Sequence, residues 1–279
     1  MTVSHRHDTS AIVIRDIESF EEMGAVEELQ KEVWQFADLD VVPRTIFVAS
    51  REIGAVLVGA YDGSALAGFV YGFPGYENGK AVHHSHMLAV KPEYRSSNLG
   101  YKLKLAQRER VLAQNINQIT WTFDPLQSRN AYFNFAKLGV IADRYRIDFY
   151  GAATSSFLHQ AGTDRLWVTW LIDSERVRER VNERKLSILP SRTQTLVEVG
   201  VDLGPKMTES PDLLEAYLII EIPADINALQ VEKPESAVEW RKATRWAFSH
   251  AFSQGYIAAE FYRVPLRDQS VGTYVLRRA

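Results

Sequence analysis

The chain has 279 residues, 46% of them hydrophobic and 24% charged, an ordinary globular balance long enough to bury a core unaided. It contains no cysteine, which excludes disulfides, cysteine nucleophiles and cysteine-ligated zinc. With 32 basic and 35 acidic residues the net charge is −3; the polar first residues MTVSHRHDTS carry no signal core, and no apolar run reaches the roughly 18 residues of a membrane span. The expectation is a soluble cytoplasmic protein without nucleic-acid or membrane partners.

Ala11–Arg15 is a short β-branched run that predicts a strand. Ser19 with Glu22 three residues on is a capping-box start, and Met23, Val26, Leu29 and Val33 then recur at helical spacing. Pro43 opens a second short helix through about Ala49. The apolar runs Gly54–Tyr61 and Ala65–Tyr71 flank Asp62-Gly63, a strong hairpin signal. Asn78-Gly79 turns the chain into a strand from about Ala81 to Val90. An amphipathic helix over Leu99–Ala113, a strand over Ile119–Phe123, a helix over Ala131–Leu138 stopped by Gly139, and a strand over Arg165–Ile172 follow. This mixed order predicts an α/β (α+β) fold, a helix-flanked mixed sheet.

The charged stretch Asp173–Arg184 reads as a solvated helix or linker and marks a boundary between residues 1–184 and a smaller C-terminal α/β region, 185–279. That region carries strand patterns at Tyr217–Ile222, Tyr256–Tyr262 and Tyr274–Leu276, and a helix at Ala237–Ser253. Sliding the earlier strand–helix–strand onto this region sets Ile119 on Ile257 and Phe123 on Phe261. A degenerate half-repeat is one reading of that match; any two strand–helix–strand units share some of it.

The informative stretch is His83–Gln107. A strand ends at Val90, a turn of small and polar residues follows, and a helix begins near Leu99. Backbone N–H groups at such a helix start are left without helical partners, and the helix dipole favours negative charge there. A diphosphate suits the position, with Arg95 and Lys102 adding positive charge beside it.

Arg95-Ser96-Ser97-Asn98-Leu99-Gly100 resembles the R/Q-x-x-G-x-G/A loop of the GNAT acyltransferase superfamily. The resemblance implies that this loop, with Tyr101 and Lys102, cradles the pyrophosphate of coenzyme A, and that Leu88, Ala89 and Val90 pair with pantetheine. The first glycine of the pattern is Asn98 here, the residue that best tolerates a left-handed backbone after glycine. Ser128-Arg129-Asn130-Ala131, leading to Lys137-Leu138-Gly139, is similar to the family's N-x-x-A…Y-x-K-L-G-F helix. The similarity places Asn130 and Asn134 beside the cofactor. It covers roughly residues 11–172 and implies a mostly antiparallel GNAT-like sheet. Ser85–Val90, Trp121–Leu126, Asn130–Asn134 and Thr163–Trp170 look like the marks of a bacterial branch with long C-terminal extensions.

The resemblance implies an acyl-CoA-dependent N-acyltransferase, using acetyl-CoA or another acyl-CoA such as succinyl-CoA as cosubstrate and a small-molecule amine as acceptor. Relatives of the branch resemble N-succinyltransferases working on amino acids, which leaves acetyl and succinyl both open. By the same match the Leu88 amide is the oxyanion donor, a group worth about 3–4 kcal/mol. His84 falls where some family members carry a glutamate base. His84 and His86 alternate onto one strand face, as Leu88 does, and His83 faces away. An imidazole near pKa 6.5 suits proton acceptance at neutral pH. Either histidine alone reads more readily as a packed or surface residue, and it is the pair beside the expected thioester that points to catalysis. Two histidines without a carboxylate do not suggest a metal.

The family's general-acid tyrosine is Phe135 here, so Tyr132, one turn earlier, is the substitute acid or simply a packed aromatic. Asp124 either orients a histidine or acceptor amine or caps a turn before Pro125. Arg44 is a surface residue or a carboxylate binder. The C-terminal region is expected to be structural, covering the acceptor site or building a homodimer interface. A non-catalytic acyl-CoA-binding protein and a protein or peptide acyltransferase are the competing readings.

Overall fold

The computed structural model describes residues 12–95, 97–151, 162–183, 188–208, 215–266 and 269–279. Their contacts gather into two compact units that part between Thr120 and Trp121. Both are built on mixed, mostly antiparallel strands flanked by helices.

The first unit opens with β1 (Ile12–Asp16), α1 (Phe20–Trp34) and α2 (Arg44–Arg51). The capping box is formed: the Ser19 hydroxyl accepts from the Glu22 amide at 3.1 Å, and the Glu22 carboxylate accepts from the Ser19 amide at 3.3 Å. Met23, Val26 and Leu29 line the buried face of α1. They pack with Phe47 of α2 and with Phe69, Tyr71, Met87 and Ala89 of the sheet.

That sheet consists of β2 (Val56–Asp62), β3 (Ala65–Glu77) and β4 (Lys80–Val90), with β1 on β2. β2–β3 and β3–β4 are antiparallel hairpins, as the Asp-Gly and Asn-Gly pairs predict. Asn78 and Gly79 hold φ of 50° and 76°, the left-handed pair a tight hairpin requires. α3 (Leu99–Ala113) leads from β4 to β5 (Gln118–Phe123), which joins β4 in parallel through Ile119 and Thr120.

The second unit holds α4 (Ser128–Ala131), which widens into a π-helical stretch over Tyr132–Leu138 and stops at Gly139 in the left-handed conformation. β6 (Ile141–Arg146) pairs antiparallel with β7 (Arg165–Leu171). α5 (Glu175–Arg178), β8 (Gln194–Val199), β9 (Pro205–Met207), β10 (Tyr217–Ile222), α6 (Ile226–Glu232), α7 (Pro234–Ser253), β11 (Tyr256–Leu266) and β12 (Gln269–Arg278) complete it. Tyr274 is its aromatic hub, with ring centroids 4.7 Å from Phe261, 5.0 Å from Phe248 and 5.6 Å from Phe135.

Two sequence expectations change here. The charged stretch from Asp173, read as a solvated helix or linker at a boundary at 184, is helical as far as it is described, but Val177 and Arg180 are buried within the second unit. Arg176 and Arg180 are one helical turn apart, and both donate to Glu260 of β11, at 2.7 and 2.6 Å. The strand–helix–strand likeness also does not carry over to pairing. β4 and β5 are direct parallel neighbours, whereas β12 pairs with both β10 and β11 and stands between them. The β11–β12 hairpin brings the chain back antiparallel, which a simple repeat of the first pattern does not contain.

Candidate active site

β4 pairs with β5 only at His83–Ile119 and His84–Thr120, then runs on to Val90. On its other edge the register with β3 slips: Ser85 opposes Gly72, Met87 opposes Tyr71, and His86 is the extra residue of a β-bulge. The slip changes which residues share a face. His83 and Ser85 point toward α3, while the rings of His84 and His86 lie with Phe73 on the opposite face. Beyond the bulge, Met87 and Ala89 join the α1 core, and the Leu88 side chain lies over Gly100 of α3. Leu88 therefore does not share a face with His84 and His86, as simple alternation predicts. A one-residue insertion inverts the parity of everything after it. The role expected of Leu88 belongs to its amide, and the bulge disrupts the ladder immediately before it.

The imidazoles form an aromatic group. His84 and His86 are 6.5 Å apart, Phe73 is 5.8 and 5.9 Å from them, and Tyr71 is 6.3 Å from His86. His84 Nδ1 lies 3.1 Å from the Thr120 hydroxyl. Burial pushes the His84 pKa down to about 4, helped by His86 and Lys104 and opposed by Glu77. This departs from the value near 6.5 expected for an open imidazole and makes His84 a neutral group at neutral pH. His86 is exposed at its edge, yet desolvation by its neighbours lowers its pKa too. His83 faces away, fully buried, and burial followed by the repulsion of Lys104 brings it to about 3.

The turn after β4 is a short 3-10 segment, Pro92–Tyr94, with the Tyr94 hydroxyl donating to Asp62 at 2.8 Å. Ser96 lies outside the described residues. The Ser97 hydroxyl donates to the Tyr94 carbonyl at 2.6 Å, and Arg95, exposed, donates to the Val90 carbonyl at 3.3 Å. Asn98 is left-handed, φ 64° and ψ 13°, so the asparagine performs the backbone task of the missing glycine. Its side chain does not cap α3, and among the described residues the Leu99 and Gly100 amides have no protein acceptor.

Gly100 bears on the nature of a ligand. A Cβ there would meet only ordinary contacts, Leu88 at 3.8 Å and Val90 at 3.9 Å. Glycine inside a helix costs about 0.5–1 kcal/mol relative to alanine. The protein's own packing does not require it, whereas an anion approaching the backbone closely would. Lys102 is exposed on the same first turn.

In the second unit the remaining candidates take other partners. Asp124 accepts from the Leu126 amide at 2.9 Å and receives both terminal nitrogens of Arg241 at 2.7 Å. Both side chains are buried, so Asp124 is one half of an ion pair rather than an open carboxylate. Burial pulls the Arg241 pKa down, but Asp124 more than offsets it and the net shift is upward. Phe135 is fully buried against Phe123 and Tyr274. Tyr132 is half-buried beneath the Arg263 guanidinium, 4.8 Å from its ring. Asn134 is buried and Asn130 exposed. In the first unit, Arg44 is held by Glu27 at 2.6 Å and lies over Phe20, which leaves it a poor carboxylate receptor.

Sequence reasoning passed over Phe73, Thr120, Ser85 and Lys104. Their only signal was position: each is set beside the histidines by a cross-strand or strand–helix pairing. Among the described residues, no group of three or more acidic, histidine or cysteine side chains could hold a metal, and no helix is long and apolar enough to cross a membrane.

Residues 15–139 match the family model described as the acetyltransferase (GNAT) family. No curated protein matches the chain. Among solved structures, it is similar to a ribosomal-protein-S18-alanine N-acetyltransferase from Escherichia coli, with 13% identity and TM-score 0.47 over 58% of this chain and 95% of that one. An aminoglycoside 6'-acetyltransferase type Ii gives 18% and 0.47 over 58% and 99%. A GNAT-family acetyltransferase from Streptococcus pneumoniae gives 13% and 0.46 over 57% and 98%. Likeness at this level says nothing of substrate.

Proposed function

Residues 15–139 are a GNAT acetyltransferase domain, and from that premise we propose that the chain transfers an acetyl or succinyl group from acyl-CoA directly to the amine of a small molecule, an amino acid among the candidates. The observation that carries this reading is the start of α3: left-handed Asn98, an uncapped first turn, and a glycine whose missing Cβ nothing in the protein needs. The Leu99 and Gly100 amides would hold the diphosphate, with Arg95 and Lys102 supplying charge. The Leu88–Val90 backbone would carry the pantetheine arm to the bulge.

There the amine nitrogen attacks the thioester carbonyl, its C–N bond forms, and the C–S bond breaks to release thiolate. The Leu88 amide donates to the carbonyl oxygen as it gains charge. His84 takes the proton. If Nδ1–H is donated to Thr120, Nε2 is the nitrogen that would accept, and the lowered pKa leaves the ring unprotonated from mildly acidic to neutral pH. Phe73 and His86 wall the acceptor side with rings.

The test is free-thiol release by purified protein from acetyl-CoA and succinyl-CoA across an amine panel, beside thermal shifts with each thioester. A native-state ligand raises the melting temperature by mass action. Thermal shift without thiol release from any pair supports the second reading, a non-catalytic acyl-CoA-binding protein. Phe135, a core ring where the resemblance expects an acid, favours that alternative.

A further inference from the structure

We propose that Lys104 is a positioning residue: reaching from α3 to the buried face of β4, its amine fastens Ser85 and thereby fixes the bulge at His86 that aims His84 and His86. The proposal rests on the transferase reading above.

The Lys104 Nζ donates to the Ser85 hydroxyl at 3.0 Å and to the Gln107 side-chain carbonyl at 2.8 Å. Ser85 in turn donates to the same Gln107 oxygen at 2.9 Å, and the Gln107 amide nitrogen donates to His83 Nε2 at 3.4 Å. All four side chains are buried. Two residues one helical turn apart thus grip the two inward-facing residues, His83 and Ser85, that alternate with the two outward-facing imidazoles. Gly72 completes the fit. A Cβ there would stand 2.5 Å from His83 Nε2, 2.6 Å from the His84 carbonyl and 2.9 Å from Gln107, so β3 must present glycine opposite Ser85.

A bulge is a register choice, and an alternative pairing one residue along would send His84 to the α3 face and His83 out. The buried hydrogen bonds discriminate between the two registers, because only one places Ser85 within reach of Lys104. A role in packing alone would be met by leucine or methionine, without the cost of burying an amine. Burial lowers the Lys104 pKa well below its ordinary value, while the hydrogen bonds to Ser85 and Gln107 are ones the amine donates whether or not it carries the extra proton. It also bears on the reaction face. The titratable groups acting on His84 are His86 beside it on β4, Glu77 on β3 and Lys104 on α3, and a proton on Lys104 opposes a proton on His84.

The experiment compares Lys104→Met and Ser85→Ala with the parent chain by acyl-CoA affinity, by kcat and KM for thiol release, and by NMR titration of labelled histidines. We expect acyl-CoA affinity within about twofold of the parent, because the α3 start is untouched, and kcat lower by about tenfold. In Lys104→Met the His84 titration should move to higher pH, carrying the acid limb of kcat/KM with it. Ser85→Ala, which retains the amine, should disturb the His84 and His86 resonances with a smaller titration shift, and it keeps the proposal open to refutation should the lysine variant not fold. Folded variants whose histidine spectra and titrations overlay those of the parent would overturn the proposal. Absence of thiol release from the parent would sink the transferase reading instead, while the spectra still report on Lys104.

Discussion

Lys104 and Arg241 are both buried basic side chains, and the two units treat them oppositely. In the first unit Lys104 lies among a serine, a glutamine and a histidine, and burial drives its amine toward neutrality. In the second unit Arg241 meets Asp124 through two parallel hydrogen bonds and holds its charge more firmly than in water. Glu260 with Arg176 and Arg180, and Asp164 with Arg245, repeat the paired arrangement. Paired charges make a structure costly to break, since removing one partner strands the other. Neutral polar clusters hold geometry while leaving protonation adjustable by neighbours. The first unit carries the proposed chemistry, and its adjustable groups adjoin the candidate base.

The comparison breaks most sharply at Asp124. Asp124→Asn strands Arg241 and should cost about 3–5 kcal/mol of stability, read by denaturant unfolding. The folded fraction should keep its kcat within about twofold. A loss of turnover without a loss of stability would return Asp124 to the reaction. His84→Gln should do the reverse, lowering kcat by about a hundredfold or more with the melting temperature little changed. In the parent, kcat/KM should fall as pH drops through about 4, because protonated His84 cannot accept a proton.

Stability should also depend on acid through His83. Its pKa is about 3 folded against an ordinary 6.5, so between those values the unfolded chain binds more protons. The stabilisation is complete above the unfolded value and is lost as pH falls toward the folded one. Unfolding free energy should drop by about 2 kcal/mol from pH 7.5 to pH 5 on account of this residue, and His83→Leu should flatten that slope.

Gly100→Ala should act in two directions. It should raise unliganded stability by about 0.5–1 kcal/mol through helix propensity and weaken acyl-CoA binding by about tenfold. Calorimetry with and without ligand separates the two; unchanged affinity would remove the phosphate cradle. The smallest effect is expected of Tyr132→Phe, with kcat within about twofold of the parent. A larger fall would identify Tyr132 as the acid that Phe135 cannot be.

Much of the first unit was legible in the residues. Ser19 and Glu22 announce a helix start, Asn78-Gly79 a hairpin, and Asn98 a left-handed turn, because each is a local contest between a side chain and its own backbone. The loop before α3 was legible from its helix start and its resemblance to a known motif, and the histidines of β4 from strand alternation and the same resemblance. The bulge at His86 was not, because its register is decided by what α3 and β3 place against β4, and a strand read alone has only a period of two. Arg241 on Asp124, Arg180 on Glu260 and Lys104 beneath Ser85 each join residues distant in the chain. Sequence determined which segments form helices and turns. Tertiary structure decided which polar groups are buried together, and hence which keep their charge, because desolvation and pairing depend on distances that no local pattern encodes.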